Sequence, residues 1–431
     1  MAGLLFGVLF LLLLIGVPIA VSLGLSVITV FFAGNHIMLF PSLPQRMFTS
    51  VDSFPFMAIP FFILAGNLMG EGGISRRLLG FVQLFLRRSS AALPQITTGA
   101  SVFFGAISGS NPATVAAIGG ITIPAMIKKG YPADLAGAIA AACGTVGVII
   151  PPSIPMVTYA VTANVSVGNM FISGIVPGII IAVVLNLVHR ILCTKYEPAD
   201  KKAPRLSSKE FLVGLKESFL ALLMPLLILG GIYGGVFTPT EAAAVACVYA
   251  FFVSMFIYKE LKPSDLYRVF VKSAKTSAMI LFVISLSAPF SWFMTTQGIP
   301  TRIAGAVLSI FGNKYILLFL INVILLIMGI FLETQAIILL LTPFLVPIAL
   351  QLGIPLIVLG MIIVINTSLG MITPPMAVNV FVASGISKES IEKISLKIVP
   401  YFVAELIVIL VFTYIPQILT FFPALLGIKI S

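Results

Sequence analysis

The chain has 431 residues, of which 59% are hydrophobic and 9% charged, and its mean hydropathy is +1.17. Recurring apolar runs of about 20 residues indicate a polytopic, all-α membrane protein and exclude a soluble domain or a membrane barrel, whose segments alternate over about ten residues. The formal net charge of +11 comes from basic residues in short loops. This distribution is typical of cytoplasmic loops and does not indicate a nucleic-acid partner.

The apolar runs divide the first half of the chain into membrane segments and one interfacial arm helix. The arm is predicted at 74–89, where four arginines lie on an otherwise apolar amphipathic stretch. In chain order we predict a long first span at 3–33, a span at 54–70, the arm, a segment at 94–127, and spans at 133–163 and 170–193.

A basic connector at 190–216 separates the halves and is predicted to be cytoplasmic. It contains Lys195, Lys201, Lys202, Arg205 and Lys209, with helix-breaking Pro198 and Pro204. After it we predict spans at 217–237 and 239–258, a basic loop at 259–275, a span at 276–296, a second arm at 299–312, a segment at 315–350, and spans at 356–384 and 398–422.

The segments at 94–127 and 315–350 are each too long for one crossing and carry polar residues midway, at 108–112 and 333–335. This pattern predicts two re-entrant helical hairpins, which are tolerated at membrane depth only inside protein or beside a wet cavity. Basic residues flank the first hairpin on both sides, so it is expected to enter from the cytoplasm, whereas the second is expected to enter from outside. Opposite entry makes the repeats inverted.

A duplication supports this arrangement. Pro151-Pro152 and Pro374-Pro375 interrupt two apolar stretches 223 residues apart, and the same shift superposes Gly130 on Gly353 and Gly147 on Gly370. Glycine and proline determine where a backbone bends or stops. The sequence therefore predicts two Pro-Pro-broken helices, a typical feature of the binding site of a secondary transporter.

Helix breaks expose carbonyls at one half and amides at the other. The carbonyls, with Ser and Asn oxygens, suit a small cation such as sodium, and the amides suit a substrate carboxylate. The repeats thus predict two cation sites, although Ser and Thr also serve simple helix contacts. The candidate ligands are Ser108, Ser110, Asn111, Gly144, Thr145 and Pro151 in the first repeat, and Gly329, Glu333, Thr334, Thr367, Gly370 and Thr373 in the second.

Two acidic residues near apolar segments differ in their interpretation. Glu333, inside the second hairpin, could ligate a cation, carry a proton or cap the following helix, and the sequence leaves these roles open. Glu241 completes a capping box with Thr238, so a structural role is expected. His189 lies near a span end without partner spacing and receives no role.

Four motifs resemble the large membrane subunit of TRAP (tripartite ATP-independent periplasmic) transporters along essentially the whole chain. They are GAISGSNPATVAAIGGITIPAMIKKGYP at 105–132, GTVGVIIPPSIPMVTYAV at 144–161, GIFLETQAIILLLTPFLVPIA at 329–349 and NTSLGMITPPMAVNVFVASGI at 366–386.

The resemblance implies a non-enzymatic subunit of the bacterial inner membrane that imports an organic acid with sodium ions. It implies two partners, a small four-helix membrane subunit and a periplasmic substrate-binding protein. It also implies an elevator mechanism, with a transport domain at 94–165 and 315–386 and a scaffold at 1–93, 166–314 and 387–431. Substrate would lie between the two Pro-Pro breaks, near Pro152, Ser153, Thr158, Pro375, Met376 and Asn379.

Substrate identity is not fixed by these motifs. Many relatives carry an acidic residue before proline and a histidine after the second hairpin, where this chain has 353–360 without them. The difference tilts the expectation slightly from a four-carbon dicarboxylate towards a sugar acid such as sialic acid. No Arg or Lys is expected in the cavity, so amide dipoles and hydroxyls would hold the anion.

Two other kinds of membrane transport protein would show inverted repeats with polar breaks in their sequence. A carrier of the same fold could work without partners, and a channel could be built from inverted repeats, although it would need a continuous wet pore. The lack of a GxxxxGK[ST] phosphate-binding loop argues against a primary pump.

Overall fold

A computed structural model describes residues 1–35, 37–197, 206–310 and 313–428. Throughout these residues the regular elements are helical. The helices are α1 (Ala2–Leu14), α2 (Ile19–Ala33), α3 (Ser42–Val51), α4 (Ala58–Glu71), α5 (Ile74–Leu86), α6 (Ala92–Ser108), α7 (Asn111–Thr114), α8 (Gly120–Lys128), α9 (Ala133–Cys143), α10 (Ile154–Thr162) and α11 (Val167–Cys193). They continue as α12 (Ser208–Tyr233), α13 (Pro239–Phe252), α14 (Pro263–Thr296), α15 (Ile299–Ile310), α16 (Lys314–Phe331), α17 (Thr334–Gln351), α18 (Leu356–Gly370), α19 (Val378–Ser387), α20 (Ile391–Tyr414) and α21 (Gln417–Leu425).

Eight helical segments in the described part of the chain are long and apolar enough to cross a membrane. They are Phe54–Glu71, Val167–Cys193, Ser208–Tyr233, Pro239–Ile257, Pro263–Thr296, Lys314–Phe331, Thr334–Gln351 and Ile391–Tyr414. The chain is therefore an all-α polytopic protein, as predicted.

Two predicted boundaries are wrong. The span at 3–33 consists of α1 and α2, which pack against each other and are separated by a bend where Gly16 has a φ of +83°. The basic loop at 259–275 is helical from Pro263 onward, because Pro263 starts α14 and the Asp265 carboxylate accepts the Lys262 amide hydrogen. Lys272 and Lys275, the lysines of this stretch that belong to α14, are exposed.

The predicted hairpins and breaks are present as helical features. The first hairpin comprises α6, α7, a π-helical turn at Val115–Gly119, and α8, and the second comprises α16 and α17. The first broken helix comprises α9, a 3₁₀ turn at Gly144–Val148, and α10, and the second comprises α18 and α19. Both Pro-Pro peptide bonds are cis.

The 223-residue repeat extends to the helix boundaries. Shifting 111 and 128, the ends of the second arm of the first hairpin, by 223 gives the bounds of α17. The same shift brings α11 within two residues of α20 and α5 within two residues of α15 at each end. Each arm helix also packs on a hairpin, although on different arms of it: α5 packs on the first arm, α6, and α15 packs on the second arm, α17. The duplication thus governs the fold as well as the motifs.

Helix packing forms two groups. Helices α2, α3, α4 and α13 pack around one another or against α14, whereas the hairpins and broken helices pack around α11 and α20. The predicted division into transport domain and scaffold stays a prediction, and this packing argues for grouping α11 and α20 with the hairpins. Of the predicted central loop, 198–205 lies outside the described residues, as do 311–312 of the second arm and 429–431.

Candidate functional site

Asn111 joins the tip of the first hairpin to both broken helices. Its Oδ1 accepts the amide hydrogen of Val148 at 2.9 Å, and its Nδ2 lies 2.7 Å from Ser368 Oγ and 3.4 Å from Met371 Sδ. The side chain is fully buried. One amide group therefore connects the tip to residues 260 positions away in sequence.

The two repeats meet at these contacts. Ser368 donates to the Thr145 carbonyl at 2.7 Å, and these residues are repeat equivalents, 223 positions apart. Asn111 and Thr334 are also repeat equivalents, and both contact Met371 Sδ, Thr334 through its Oγ1 at 3.7 Å. The tips of both hairpins therefore converge on Met371, at the contact between the two breaks.

Glycines allow each hairpin to approach its broken helix closely. A Cβ atom at Gly105 would lie 2.9 Å from Gly147 Cα, and one at Gly370 would lie 2.5 Å from Gly329 Cα. Both distances are too short for a real side chain. Gly147 and Gly370 are repeat equivalents, and their partners Gly105 and Gly329 differ from equivalence by one position, so each repeat contains a close backbone approach at nearly the same place.

The remaining predicted ligands of the first repeat surround Asn111. Ser108 Oγ lies 3.1 Å from Thr114 Oγ1, and the Ser110 carbonyl accepts from Thr114 at 2.8 Å. Thr145 Oγ1 lies 2.7 Å from the Ala142 carbonyl, while Gly144 and Pro151 are buried beside it in the break. Oxygen atoms from both the tip and the break are thus concentrated here.

The predicted ligands of the second repeat include hydrogen-bonded threonines and one exposed carboxylate. Thr367 Oγ1 bonds to the Ile363 carbonyl at 2.8 Å, and Thr373 Oγ1 bonds to the Leu369 carbonyl at 3.0 Å. Glu333 precedes α17 at its N-cap position, but its side chain makes no capping hydrogen bond and it is exposed. The capping role considered for Glu333 therefore has no hydrogen bond in support, whereas the capping box of Glu241 and Thr238 is confirmed.

The predicted substrate residues fall into two environments. Pro152, Ser153 and Thr158 are buried, and Thr158 Oγ1 bonds to the Ile154 carbonyl at 3.2 Å. Pro375 and Met376 are exposed. Asn379 is buried, with Nδ2 3.2 Å from the Ala141 carbonyl and with its Oδ1 lacking a partner among the described residues.

A cavity of about 700 Å³ lies between the first hairpin and helices α4 and α14. Ser108, Ser110 and Glu333 line it, so polar residues from both hairpin tips face one open space. The lining drawn from the described residues does not include the six predicted substrate residues. These positions stay predictions.

The wall of this cavity contains basic residues. The expectation of none concerned the region between the two Pro-Pro breaks, whose predicted substrate residues do not line this cavity, so it stays a prediction. Lys272 and Arg76 contribute to its wall, together with Glu71 and Glu260. Lys272 lies on α14, within the stretch that was predicted to be a loop, and the helix turns it into the cavity wall. A cation is therefore available to an anion in this space, besides amides and hydroxyls.

A cluster of buried polar groups beside the first break was not predicted. Glu405 on α20 is 1% exposed, and its Oε1 lies 3.0 Å from Thr145 Oγ1. His189 on α11 lies 3.0 Å from the Tyr401 hydroxyl and 2.9 Å from Thr98 Oγ1. The available signal for Glu405 was an acidic residue inside an apolar span. Ser368 could have been found as the repeat equivalent of Thr145.

Glu197, after α11, ties down both ends of the first hairpin. Its carboxylate accepts the Leu93 amide hydrogen at 3.0 Å and pairs with Lys129 at 2.5 Å. Burial and the nearby Glu197 charge raise the pKa of Tyr131, which lies close to Lys129 in the connector between α8 and α9. Glu197 therefore anchors the base of the first hairpin, and the tip lies at the site.

Comparisons with known proteins identify the family. A family model described as "Tripartite ATP-independent periplasmic transporter, DctM component" matches residues 6–418. The isethionate TRAP transporter permease protein DctMQ of Oleidesulfovibrio alaskensis is 44% identical over 97% of this chain, which spans 66% of that relative. The C4-dicarboxylate TRAP transporter large permease protein DctM of Rhodobacter capsulatus is 37% identical over 99% of each chain.

A third relative has a different printed substrate, and a solved structure shares the fold. The sialic acid TRAP transporter large permease protein SiaM of Vibrio cholerae is 34% identical over 88% of this chain and 89% of its own length. The crystal structure of the Alcanivorax borkumensis YdaH transporter matches with a TM-score of 0.64 at 16% identity, over 87% of this chain and 88% of that one.

TRAP large permeases work with a small membrane subunit and a periplasmic binding protein. With a family match over nearly its whole length and a full-length relative at 37% identity, the chain belongs to the DctM component family of tripartite ATP-independent periplasmic transporters and is a multi-pass inner-membrane permease.

Proposed function

We propose that this permease imports a small organic anion together with sodium ions by an elevator movement. The single observation that carries the proposal is the convergence of both hairpin tips on Met371 at the contact between the two breaks. A binding region built twice, from interrupted helices, is the arrangement that secondary transporters use to hold ions and substrate.

The ion part of the proposal is supported by the oxygen atoms around Asn111. Oxygens of Ser108, Ser110 and Thr145 are concentrated at the tip and break. Hydroxyl and carbonyl oxygens can ligate a hard cation, and they do so without a charged side chain. The second site would use Gly329, Thr334 and the break at 367–373, with Glu333 as the available carboxylate.

The substrate part is supported by the charge and the position of the cavity. The wall carries both signs of charge, since Arg76 pairs with Glu260. Lys272 is a further cation near the tip, where Ser108 and Ser110 provide hydroxyls. An ammonium or guanidinium group near hydroxyls suits a carboxylate or sulfonate. The isethionate and C4-dicarboxylate relatives, at 44% and 37% identity, favour a short anion ahead of the sugar acid of the relative at 34%.

Transport assays on the reconstituted complex test the proposal. The permease, its small subunit and the periplasmic binding protein are assayed in proteoliposomes with labelled isethionate, a C4-dicarboxylate and sialic acid. We expect saturable uptake of one acid that requires the binding protein and an inward sodium gradient. Uptake without the binding protein would indicate a stand-alone carrier, uptake without sodium would remove the coupling, and single-channel currents would indicate a channel.

A further inference from the structure

A groove of about 550 Å³ lies between the end of the arm helix α5 and the start of α12, and the proposed transport function does not use it. Its lining shares no residue with that of the cavity at the hairpin tips. Arg87 and Arg88 line the groove together with apolar side chains that include Leu84, Phe85, Phe211 and Leu212. The groove thus combines positive charge with an apolar surface.

The apolar part of the groove has an open side. A Cβ atom at Gly214 on α12 would lie 2.7 Å from Leu84 Cδ2 on α5, so the two helices approach closely here. The rings of Phe85 and Phe211 also join the helices and pack edge to face, with centroids 5.6 Å apart. Phe85 and Leu212 are nevertheless 58% and 62% exposed. The described residues therefore leave an apolar surface on which a further apolar group can pack.

The two arginines retain free hydrogen-bond donors. Within the described residues, neither guanidinium group forms an ion pair. The charge of Glu210 on α12 acts on Arg87, but the Glu210 carboxylate accepts its hydrogen bonds from the amide and the hydroxyl of Ser207. Each guanidinium carries five N–H donors. The groove therefore offers donors to an anion.

The position of the groove matches the boundary between membrane and water. The candidate span of α12 begins at Ser208, so Phe211 and Leu212 lie at its start. The two arginines directly follow α5, whose sequence is typical of an interfacial amphipathic helix. The connector before α12 is predicted to be cytoplasmic. Lipid headgroups of the cytoplasmic leaflet, which includes anionic lipids, lie at this depth.

We propose that this groove binds one anionic phospholipid of the cytoplasmic leaflet. The lipid phosphate accepts hydrogen bonds from Arg87 and Arg88, since the planar guanidinium fork matches phosphate geometry. An acyl chain packs on the apolar lining. Because α5 packs against both α12 and α6 of the first hairpin, the bound lipid holds the arm helix between them. The proposal depends on neither the substrate nor the sodium coupling.

Native mass spectrometry of the delipidated complex, with its small subunit, tests the proposal. We expect the wild type to bind one dioleoylphosphatidylglycerol in preference to dioleoylphosphatidylcholine. The double variant Arg87→Gln, Arg88→Gln should bind phosphatidylglycerol roughly tenfold to thirtyfold more weakly, because each basic residue near an anionic lipid surface contributes about a factor of five. Equal binding of phosphatidylglycerol by wild type and this variant would overturn the proposal.

Two further double variants separate local recognition from a general effect of charge. Lys128→Gln, Arg190→Gln also removes two exposed basic residues from the predicted cytoplasmic side, but neither residue lines the groove. Its phosphatidylglycerol binding should equal that of the wild type. Arg87→Lys, Arg88→Lys keeps the charge and should bind phosphatidylglycerol more tightly than the glutamine variant. A loss of binding in the Lys128, Arg190 control as large as in the groove variant would contradict a specific site.

Photo-crosslinking locates the lipid. Phosphatidylglycerol with a diazirine on its acyl chain should label peptides at the end of α5 and the start of α12 in the wild type, and this label should fall in the glutamine variant. Labelling only elsewhere would overturn the proposal. Displacement of the lipid by an equal concentration of soluble glycerol phosphate would indicate a simple anion site without an acyl chain. Loss of the small subunit from the glutamine variant, with lipid binding unchanged, would assign the groove to a protein partner instead.

Discussion

Asn111 is a side chain that connects three separate segments of the chain. It links the first hairpin tip to Val148 in one break and to Ser368 in the other. Its amide satisfies both groups in a fully buried position, where an unmade hydrogen bond costs about 1–3 kcal/mol. Asn111 therefore holds together the region that the proposed cation site requires.

Replacing Asn111 by alanine should weaken sodium coupling. The variant leaves the Val148 amide without its acceptor and removes the donor to the Ser368 hydroxyl, so we expect the sodium concentration for half-maximal uptake to rise roughly tenfold to a hundredfold. The measurement is initial uptake against sodium concentration. Asn169→Ala, at a partly buried position at the start of α11, is the control and should behave as wild type. Unchanged sodium dependence in a folded Asn111→Ala would exclude this site.

Individual site residues were predictable where their sequence surroundings limit the alternatives. Asn111 stands among small polar residues in the middle of an apolar segment, and this pattern indicates a hairpin tip. Glu405 has only apolar neighbours in sequence, and its partner Thr145 lies 260 positions away. Lys272 is predicted to lie in a loop because charged residues often mark loops. A long helix such as α14 can also carry charged residues on an exposed face.

At the scale of elements, glycine and proline positions predicted the breaks well because they act on the backbone locally. The breaks at 144–153 and 371–377 lie where both proline pairs predicted them. Gly16 and Pro18 are signals of the same local kind, and they separate α1 from α2 within the predicted first span. How the repeats contact each other was not accessible, because that contact joins residues 223 positions apart through side chains of ordinary composition.

The two hairpins should open to opposite sides of the membrane. Lys128 and Gln351 are repeat equivalents at the ends of α8 and α17, and both are exposed. Single cysteines at these positions form a matched pair, because both positions are exposed and both lie at the C-terminal end of a helix. With a membrane-impermeant maleimide, we expect Lys128→Cys to label from the cytoplasmic side and Gln351→Cys from the periplasmic side. Labelling of both from one side would contradict the inverted repeat.

At the scale of the whole molecule, the proposed movement requires the first hairpin to slide against α4. Gly66 on α4 closely approaches the hairpin, since a Cβ atom there would lie 3.6 Å from Ser108 Cβ. Cβ atoms joined by a disulfide are about 3.5–4.5 Å apart. A cysteine pair at 66 and 108 is therefore positioned to fix the hairpin to α4.

Oxidation of the Gly66→Cys, Ser108→Cys double variant should trap the complex in one state. An elevator cannot complete its cycle with the hairpin bound to a helix that stays in place, so we expect uptake to fall below about a tenth of the reduced value. Uptake after reduction should return to that of Ser108→Cys, because this change alone affects the tip. Both single variants should be insensitive to the oxidant. Undiminished uptake by fully cross-linked protein would show that α4 and the first hairpin move together, and the boundary of the moving part would then lie elsewhere.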